Sequence, residues 1–288
     1  MKIGFIGGSG LYELEKEMRN MEKISVSTPF GTPSDELTAG LIGDIEVVFL
    51  PRHGKGHKIL PGELNHRANI YAMKKLGVTH IVSLSACGSL QEKYAPRDIV
   101  IIDQYFDRTK RSADHTFFGN GLAGHIEFAH PVCPELSNVA FEVVKEVLAG
   151  TDSTAHMGGT YLNMEGPAFS TKVESNVYRS WGMDIIGMTN MAEAKLSREA
   201  GICYCTIAMV TDYDCWHEAH ESVTLEMIIG NLNANTKNAK RIASGICAKS
   251  RLLERQCKCA DAGKNAIITD MTTVSDQLKK DLAVIFGF

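Results

Sequence analysis

The chain has 288 residues, long enough to bury a sizeable core, and its 44% hydrophobic and 22% charged content excludes a disordered chain as the default. A net charge of −4, from 30 Lys and Arg against 34 Asp and Glu, offers no broad attraction to a polyanion and argues against a nucleic-acid partner. The apolar run at 2–6 is interrupted by glycine too soon for a secretory signal, and no stretch approaches the roughly 18 apolar residues of a membrane span, so the expectation is a cytoplasmic chain without a membrane partner.

The run 2–6 predicts a buried strand leading straight into Gly7-Gly8-Ser9-Gly10, a turn that can offer backbone amides and a hydroxyl to an anion. The dinucleotide fingerprint GxGxxG fails, because its third glycine position is Glu13, and no GxxxxGK[ST] occurs. That weakens a nucleotide-dependent oxidoreductase and leaves the turn either a phosphate cradle or a plain tight turn. A second strand at 46–50 runs into Pro51-Arg52-His53-Gly54-Lys55-Gly56-His57. Four basic side chains in seven residues read either as a solvated basic loop or as an anion site, with Arg52 forking onto phosphate oxygens and His53 donating a further hydrogen bond. Helical spacing follows at 64–77, then a strand at 79–85 that ends in hydroxyls at Ser83, Ser85 and Ser89.

A strand at 98–103 precedes residues 105–131, which lack periodicity and read as a long loop. Helices are predicted at 134–148, 171–180, 190–200 and 222–249, with a weakly specified one in the tail 264–288. Strands are predicted at 184–188, ending in Met188-Thr189, and at 202–210. The alternation implies a layered α/β domain, with 1–250 as its body and 251–288 as a C-terminal extension packed on the same domain. Ligands of open α/β sheets gather beyond the carboxyl ends of strands, so the four polar strand ends are expected to converge on one small anion.

The strand 202–210 exits into Thr211-Asp212-Tyr213-Asp214-Cys215-Trp216. Carboxylates two residues apart on a strand end can point the same way, and a departing adenine offers them N7 and the N6 amino group; alternatively they are turn or helix-start acids. The eight cysteines include two pairs spaced i and i+2, Cys203 with Cys205 and Cys257 with Cys259. Neither pair is CxxC and the matching His spacing is absent, so no metal site is expected. Cys203 and Cys205 read as small core residues of a strand, and the second pair as polar-region thiols open to a redox role.

Several collinear motifs give the chain a specific resemblance to the methylthioadenosine phosphorylases of the trimeric purine nucleoside phosphorylase family. They are KIGFIGGSGL at 2–11, TPFGTPSD at 28–35, PRHGKGH at 51–57, SACGSL at 85–90, DIVIIDQYFDRT at 98–109, MEGPAFST at 164–171, MTNMAEAKL at 188–196 and AMVTDYDCW at 208–216. The resemblance implies a single domain with a central mixed β-sheet flanked by helices. It implies that Ser9, Arg52, His53, Ser85 and Thr189 hold phosphate, helped by the Ala86 amide. Phe169 and Ser170 would meet the base, Met188 the ribose, and Asp212, Tyr213 and Asp214 the purine edge, Asp212 being the catalytic group. Leu225 and Ile228 would border a pocket for the methylthio group, with His125 reaching it from a neighbouring subunit of a homotrimer, itself able to pair into a hexamer. Inorganic phosphate would be a substrate, and no cofactor would be required. Two rivals stand beside this reading: a phosphorylase for 6-oxopurine nucleosides or methylthioinosine, against which Asp212 argues, and a nucleoside-binding protein without turnover.

Overall fold

Alternating burial along Ile3-Gly4-Phe5-Ile6 is absent because both faces of this strand are covered, as the continuous apolar run requires. The strand, β1 (Lys2–Gly7), lies in parallel between β4 (Ile45–Pro51) and β5 (His80–Ser89) in a computed structural model that describes residues 1–8, 11–217 and 225–288. The side chains of 11–13, 112 and 225–229 are outside that description. Eleven strands form one mixed sheet. Its path runs β2 (Arg19–Ile24), β3 (Leu37–Ile42), β4, β1, β5, β10 (Ile185–Gly187), β9 (Thr160–Asn163) and β7 (Gln104–Asp107). A branch leaves β5 through β11 (Cys203–Asp212) to β6 (Ile99–Ile101) and β8 (Ala155–Met157).

The helices cover this sheet and are specified locally. Pro134 stands in the first turn of α2 (Pro134–Leu148), where its missing N–H costs nothing, and Leu136, Val139, Ala140, Val143, Val144 and Val147 line the face turned to the core. Thr171 caps α3 (Lys172–Ser180), accepting from the Glu174 amide while Glu174 reaches back to the Thr171 N–H. Asn65 caps α1 (His66–Lys75), and Thr189 precedes α4 (Asn190–Glu199). The long α5 (Leu225–Ala248) packs on α2 and β11, and α6 (Asp276–Phe286) docks on α1, placing Leu282, Ile285 and Phe286 in the apolar cluster around Ile70, Tyr71 and Met73. The helix α6 therefore contributes to this apolar cluster. Among the described residues no helix is long and apolar enough to cross a membrane.

Two expectations change. Residues 105–131 are not all loop: β7 pairs in parallel with β9, and Phe117 and Leu122 are buried in the core around α1. Strands β2, β3, β8 and β9 were not anticipated at all. Glu199, at the end of α4, fixes the long connection by accepting from the Phe117 N–H at 2.6 Å and the Thr116 hydroxyl at 2.7 Å. Burial raises this carboxyl to about 7, the two hydrogen bonds opposing the shift. A raised carboxyl favours the fold fully below its unfolded value near 4.5 and loses that contribution as pH climbs through 7. Between pH 5 and pH 8 the native chain is expected to lose about 2–3 kcal/mol more stability than Glu199→Gln in urea titrations. Parallel pH dependences would show that Glu199 is not the group responsible.

Candidate active site

The carboxyl ends of β1, β4, β5 and β11 lie along one edge of the sheet, because these four strands run parallel. Register places Gly7 beside both Pro51 and Leu84, and the turn is tied down by hydrogen bonds from the Gly8 amide to the Leu84 carbonyl at 3.1 Å and from the Arg52 amide to the Gly7 carbonyl at 2.8 Å. A Cβ on Gly8 would lie 2.8 Å from an Arg52 guanidinium nitrogen, so a larger residue here would have to displace that end of the arginine. β10 enters antiparallel to the end of β5, pairing Ile186 with Gly88, and thereby leads Met188 and Thr189 back toward Ala86 and Ser85. Tyr161 braces this junction: its ring presses on Gly187, where an added Cβ would fall 1.9 Å from the phenolic oxygen.

Arg52 is 1% exposed, and most of its fork is already engaged. Its Nε donates to Glu193 Oε1 at 2.5 Å, and one terminal nitrogen donates to Glu193 Oε2 at 3.2 Å and to the Ser83 hydroxyl at 2.6 Å. Burial opposes charge on both partners, yet the pair keeps Glu193 below and Arg52 above its ordinary value. The expected bidentate grip on phosphate is thus replaced by one on Glu193. Only Nη1, which makes a long contact of 3.4 Å to the Leu84 carbonyl beside Gly8, is left to meet an anion. Glu193 also accepts from Ser83 and Tyr204, and Asn190 donates to Ser83, Tyr204 and Thr206, so a buried polar network underlies the strand ends.

His53 has one ring nitrogen committed within the chain. Its Nδ1 faces the Ile59 carbonyl at 2.8 Å, which requires the proton there, while burial and then the neighbouring Arg52 push the ring down to about 4. The neutral ring leaves Nε2 as an acceptor. His57 stacks on it with ring centroids 4.4 Å apart.

Asp212 and Asp214 are both buried at the end of β11. Asp212 accepts from the Thr211 hydroxyl at 2.7 Å and the Asp214 amide at 2.9 Å; Asp214 adopts a left-handed backbone (φ 49°) and accepts from the Ser175 hydroxyl at 2.5 Å. The two acids face Gly88 of β5, where an added Cβ would lie 3.1 Å from Asp212 Oδ1 and 3.6 Å from the Asp214 Cβ. Desolvation raises both carboxyls, Asp214 to about 6 with Asp212 adding to the shift. Such a pair favours holding a proton near neutrality.

Ser85, Ala86, Met188, Thr189, Arg52, His53, Asp212 and Asp214 thus cluster at neighbouring strand ends. Met188 and Thr189 line a small cleft with Thr109, Asn163, Glu165 and His66, and Met188 Sδ packs at Gly166, whose φ of 69° and closeness to sulfur both call for glycine. Ser170 lies beside Met164 and its carbonyl accepts from the Cys215 thiol, while Phe169 is 64% exposed. Tyr213 points away from the acids: its ring stacks on His217 and its hydroxyl reaches the Glu92 carbonyl. The structure does not bring His125 to this cluster within one chain; it is exposed, and its amide bonds to the Ala266 carbonyl. Ser9 lies outside the described residues, as do the side chains of Leu225 and Ile228 at the start of α5. Sequence reasoning missed Glu193, Asn190, Ser175 and Tyr161, which act on residues well away from them in the chain.

An α/β protein with a buried acid pair beside polar strand ends is the class this fold and site define. The chain belongs to the phosphorylase superfamily, whose family model matches residues 2–248. It is 52% identical over 285 residues to the S-methyl-5'-thioadenosine phosphorylase of Geobacter sulfurreducens, covering 99% of this chain and 98% of that protein. It is 52% identical over 286 residues to the enzyme of the same name from Thermosynechococcus vestitus, again covering 99% and 98%. Among solved structures, a methylthioadenosine phosphorylase from an antarctic soil metagenomic library superposes with a TM-score of 0.92 at 43% identity over 98% of each chain. The methylthioadenosine phosphorylase from Schistosoma mansoni, in complex with adenine, gives a TM-score of 0.84 at 35% identity, covering 96% of this chain and 99% of that one.

Proposed function

We propose that the chain catalyses the reversible phosphorolysis of S-methyl-5'-thioadenosine to adenine and 5-methylthioribose 1-phosphate, a step of purine and methionine salvage. The observation that carries this reading is the buried pair Asp212 and Asp214 facing Gly88, next to strand ends that present Ser85, Thr189 and the remaining Arg52 nitrogen. Phosphate attacks C1′ as the bond to N9 breaks, and the departing electrons spread into the purine. Asp212 holds the proton at N7 and, with Asp214, accepts from the N6 amino group. Fixed dipoles and positioning at the strand ends supply the acceleration, and the reaction as written calls on no metal or organic cofactor.

The proposed working form is a cytoplasmic homotrimer, supported by an uncovered apolar stripe on α3. Val173, Val177 and Trp181 recur every four residues on one face, all exposed, with Phe106 packed on Trp181 at 5.6 Å. In that trimer the exposed His125 of each subunit is proposed to reach the methylthio pocket of its neighbour.

The test is adenine release from methylthioadenosine with and without inorganic phosphate, run beside adenosine, inosine and methylthioinosine. Phosphate-dependent release from methylthioadenosine is the expected result. Release without phosphate would mean a hydrolase, and preference for the inosines would mean that the acid pair reads a 6-oxopurine.

A further inference from the structure

Four cysteines from three distant parts of the chain meet at the opposite end of β11 from the acid pair. Cys203 opens the strand, Cys133 stands at the N-cap of α2, and Cys257 and Cys259 belong to the C-terminal extension, at and within the 3₁₀ turn Lys258–Asp261. Their sulfurs all lie within 4.8 Å of one another, with Cys203 and Cys257 3.4 Å apart, and all four are free thiols. Four sulfurs around a tetrahedral zinc at about 2.3 Å stand about 3.8 Å from each other, inside that range. Two disulfides would draw the sulfurs into separate pairs at about 2.05 Å, which is a different arrangement from one knot of four.

Thiols do pack as small apolar groups, and Cys205 and Cys247 do so here without joining the knot. The surroundings of the four go further than packing. The extension is pressed against the turn that follows α4: a Cβ on Gly201 would lie 2.3 Å from the Ala260 carbonyl oxygen, and one on Gly263 would lie 1.8 Å from that of Glu199. Arg255 donates to the Gly201 carbonyl at the same place, and the charge of Arg198 acts on Cys259. The Arg198 guanidinium is thus at hand to offset part of the negative charge of a zinc tetrathiolate. The Leu136 N–H at the start of α2 is directed at the Cys133 sulfur, an outer-shell donor of the kind that orients metal-bound thiolates.

We propose that Cys133, Cys203, Cys257 and Cys259 bind one zinc ion as a closed tetrathiolate site that clamps the C-terminal extension to β11 and α2. Four protein ligands leave no open coordination position, so the ion is structural. The nine-residue span from Cys203 to Asp212, at about 3.3 Å per residue, sets it about 30 Å from the catalytic acids. Binding expels the thiol protons to solvent and changes no oxidation state. No CxxC pair announces the site in the sequence, because its ligands come from three segments.

The full chain, made without a histidine tag in zinc-supplemented medium and purified under reductant, is expected to carry about one zinc per subunit by elemental mass spectrometry. Cys257→Ser with Cys259→Ser is expected to lose it, whereas Cys205→Ser and Cys247→Ser, buried cysteines outside the knot, keep it. Since the double variant could fail to fold, the native chain stripped of metal is also titrated with cobalt(II) alone. Thiolate-to-cobalt charge-transfer absorption with the visible bands of a tetrahedral ion is the expected signature. Metal-free protein with all eight thiols titratable and no cobalt spectrum overturns the proposal, and so does metal-free protein in which the four have become two disulfides.

Discussion

Arg52→Ala is expected to destabilise the chain by about 3–5 kcal/mol, a larger effect than any change it makes in phosphate affinity. The reason is Glu193. Both residues are 1% exposed, and removing the guanidinium leaves a carboxylate in the interior with the Ser83 and Tyr204 hydroxyls as its remaining donors among the described residues. A pairwise replacement separates the two roles of Arg52. In Arg52→Met with Glu193→Leu no unpaired charge remains, so much of the lost stability is expected to return, less what the hydroxyls of Ser83 and Tyr204 lose as partners. The apparent KM for phosphate, by contrast, is expected to stay raised in the double variant, because the one guanidinium nitrogen facing Gly8 is gone in both. Urea titration and phosphate-saturation kinetics on the two variants check this. A single variant within about 1 kcal/mol of the native chain would remove the ion pair from the core's energetics.

The same residue shows where sequence reasoning reached and where it stopped. That Arg52 sits at a strand end was legible, since 46–50 is an apolar run and the basic residues begin where it ends. That its fork is spent on Glu193 was not, because the partner lies 141 residues away and nothing local announces it. Helix α2 was read with its observed bounds because Pro134 and an unbroken apolar period mark it, whereas β2 was missed because it is almost wholly exposed and its residues, Arg19-Asn20-Met21-Glu22-Lys23-Ile24, carry no apolar alternation. Strands β7, β8 and β9 have three or four residues each, too short for a period to show. His53 illustrates the limit on chemistry: residue type gave an anion contact, but the Ile59 carbonyl decides which ring nitrogen carries the proton.

Asp212→Asn is expected to lower kcat/KM for methylthioadenosine by about 10²- to 10⁴-fold, the range of a removed acid–base group. In the native site both carboxylate oxygens are placed by hydrogen bonds, Oδ2 from Thr211 and Oδ1 from the Asp214 amide, so the group is fixed before substrate arrives. An asparagine can keep the bond from the Asp214 amide through its carbonyl, with its NH₂ donating to the Thr211 hydroxyl, which turns to the Cys87 carbonyl. It also cannot carry a proton to or from N7. The loss should therefore appear in kcat as well as in kcat/KM, since the proton at N7 matters most as the glycosidic bond breaks. Selectivity should move with it. A carboxylate accepts from an amino-substituted purine, whereas an amide can donate to a carbonyl oxygen, so the ratio of methylthioinosine to methylthioadenosine turnover is expected to rise in the variant even as both rates fall. Steady-state kinetics on the two nucleosides at saturating phosphate decide the matter. If Asp212→Asn turns over methylthioadenosine at the native rate, the proton is held elsewhere, and Asp214, whose carboxyl burial raises to about 6, becomes the residue to replace next.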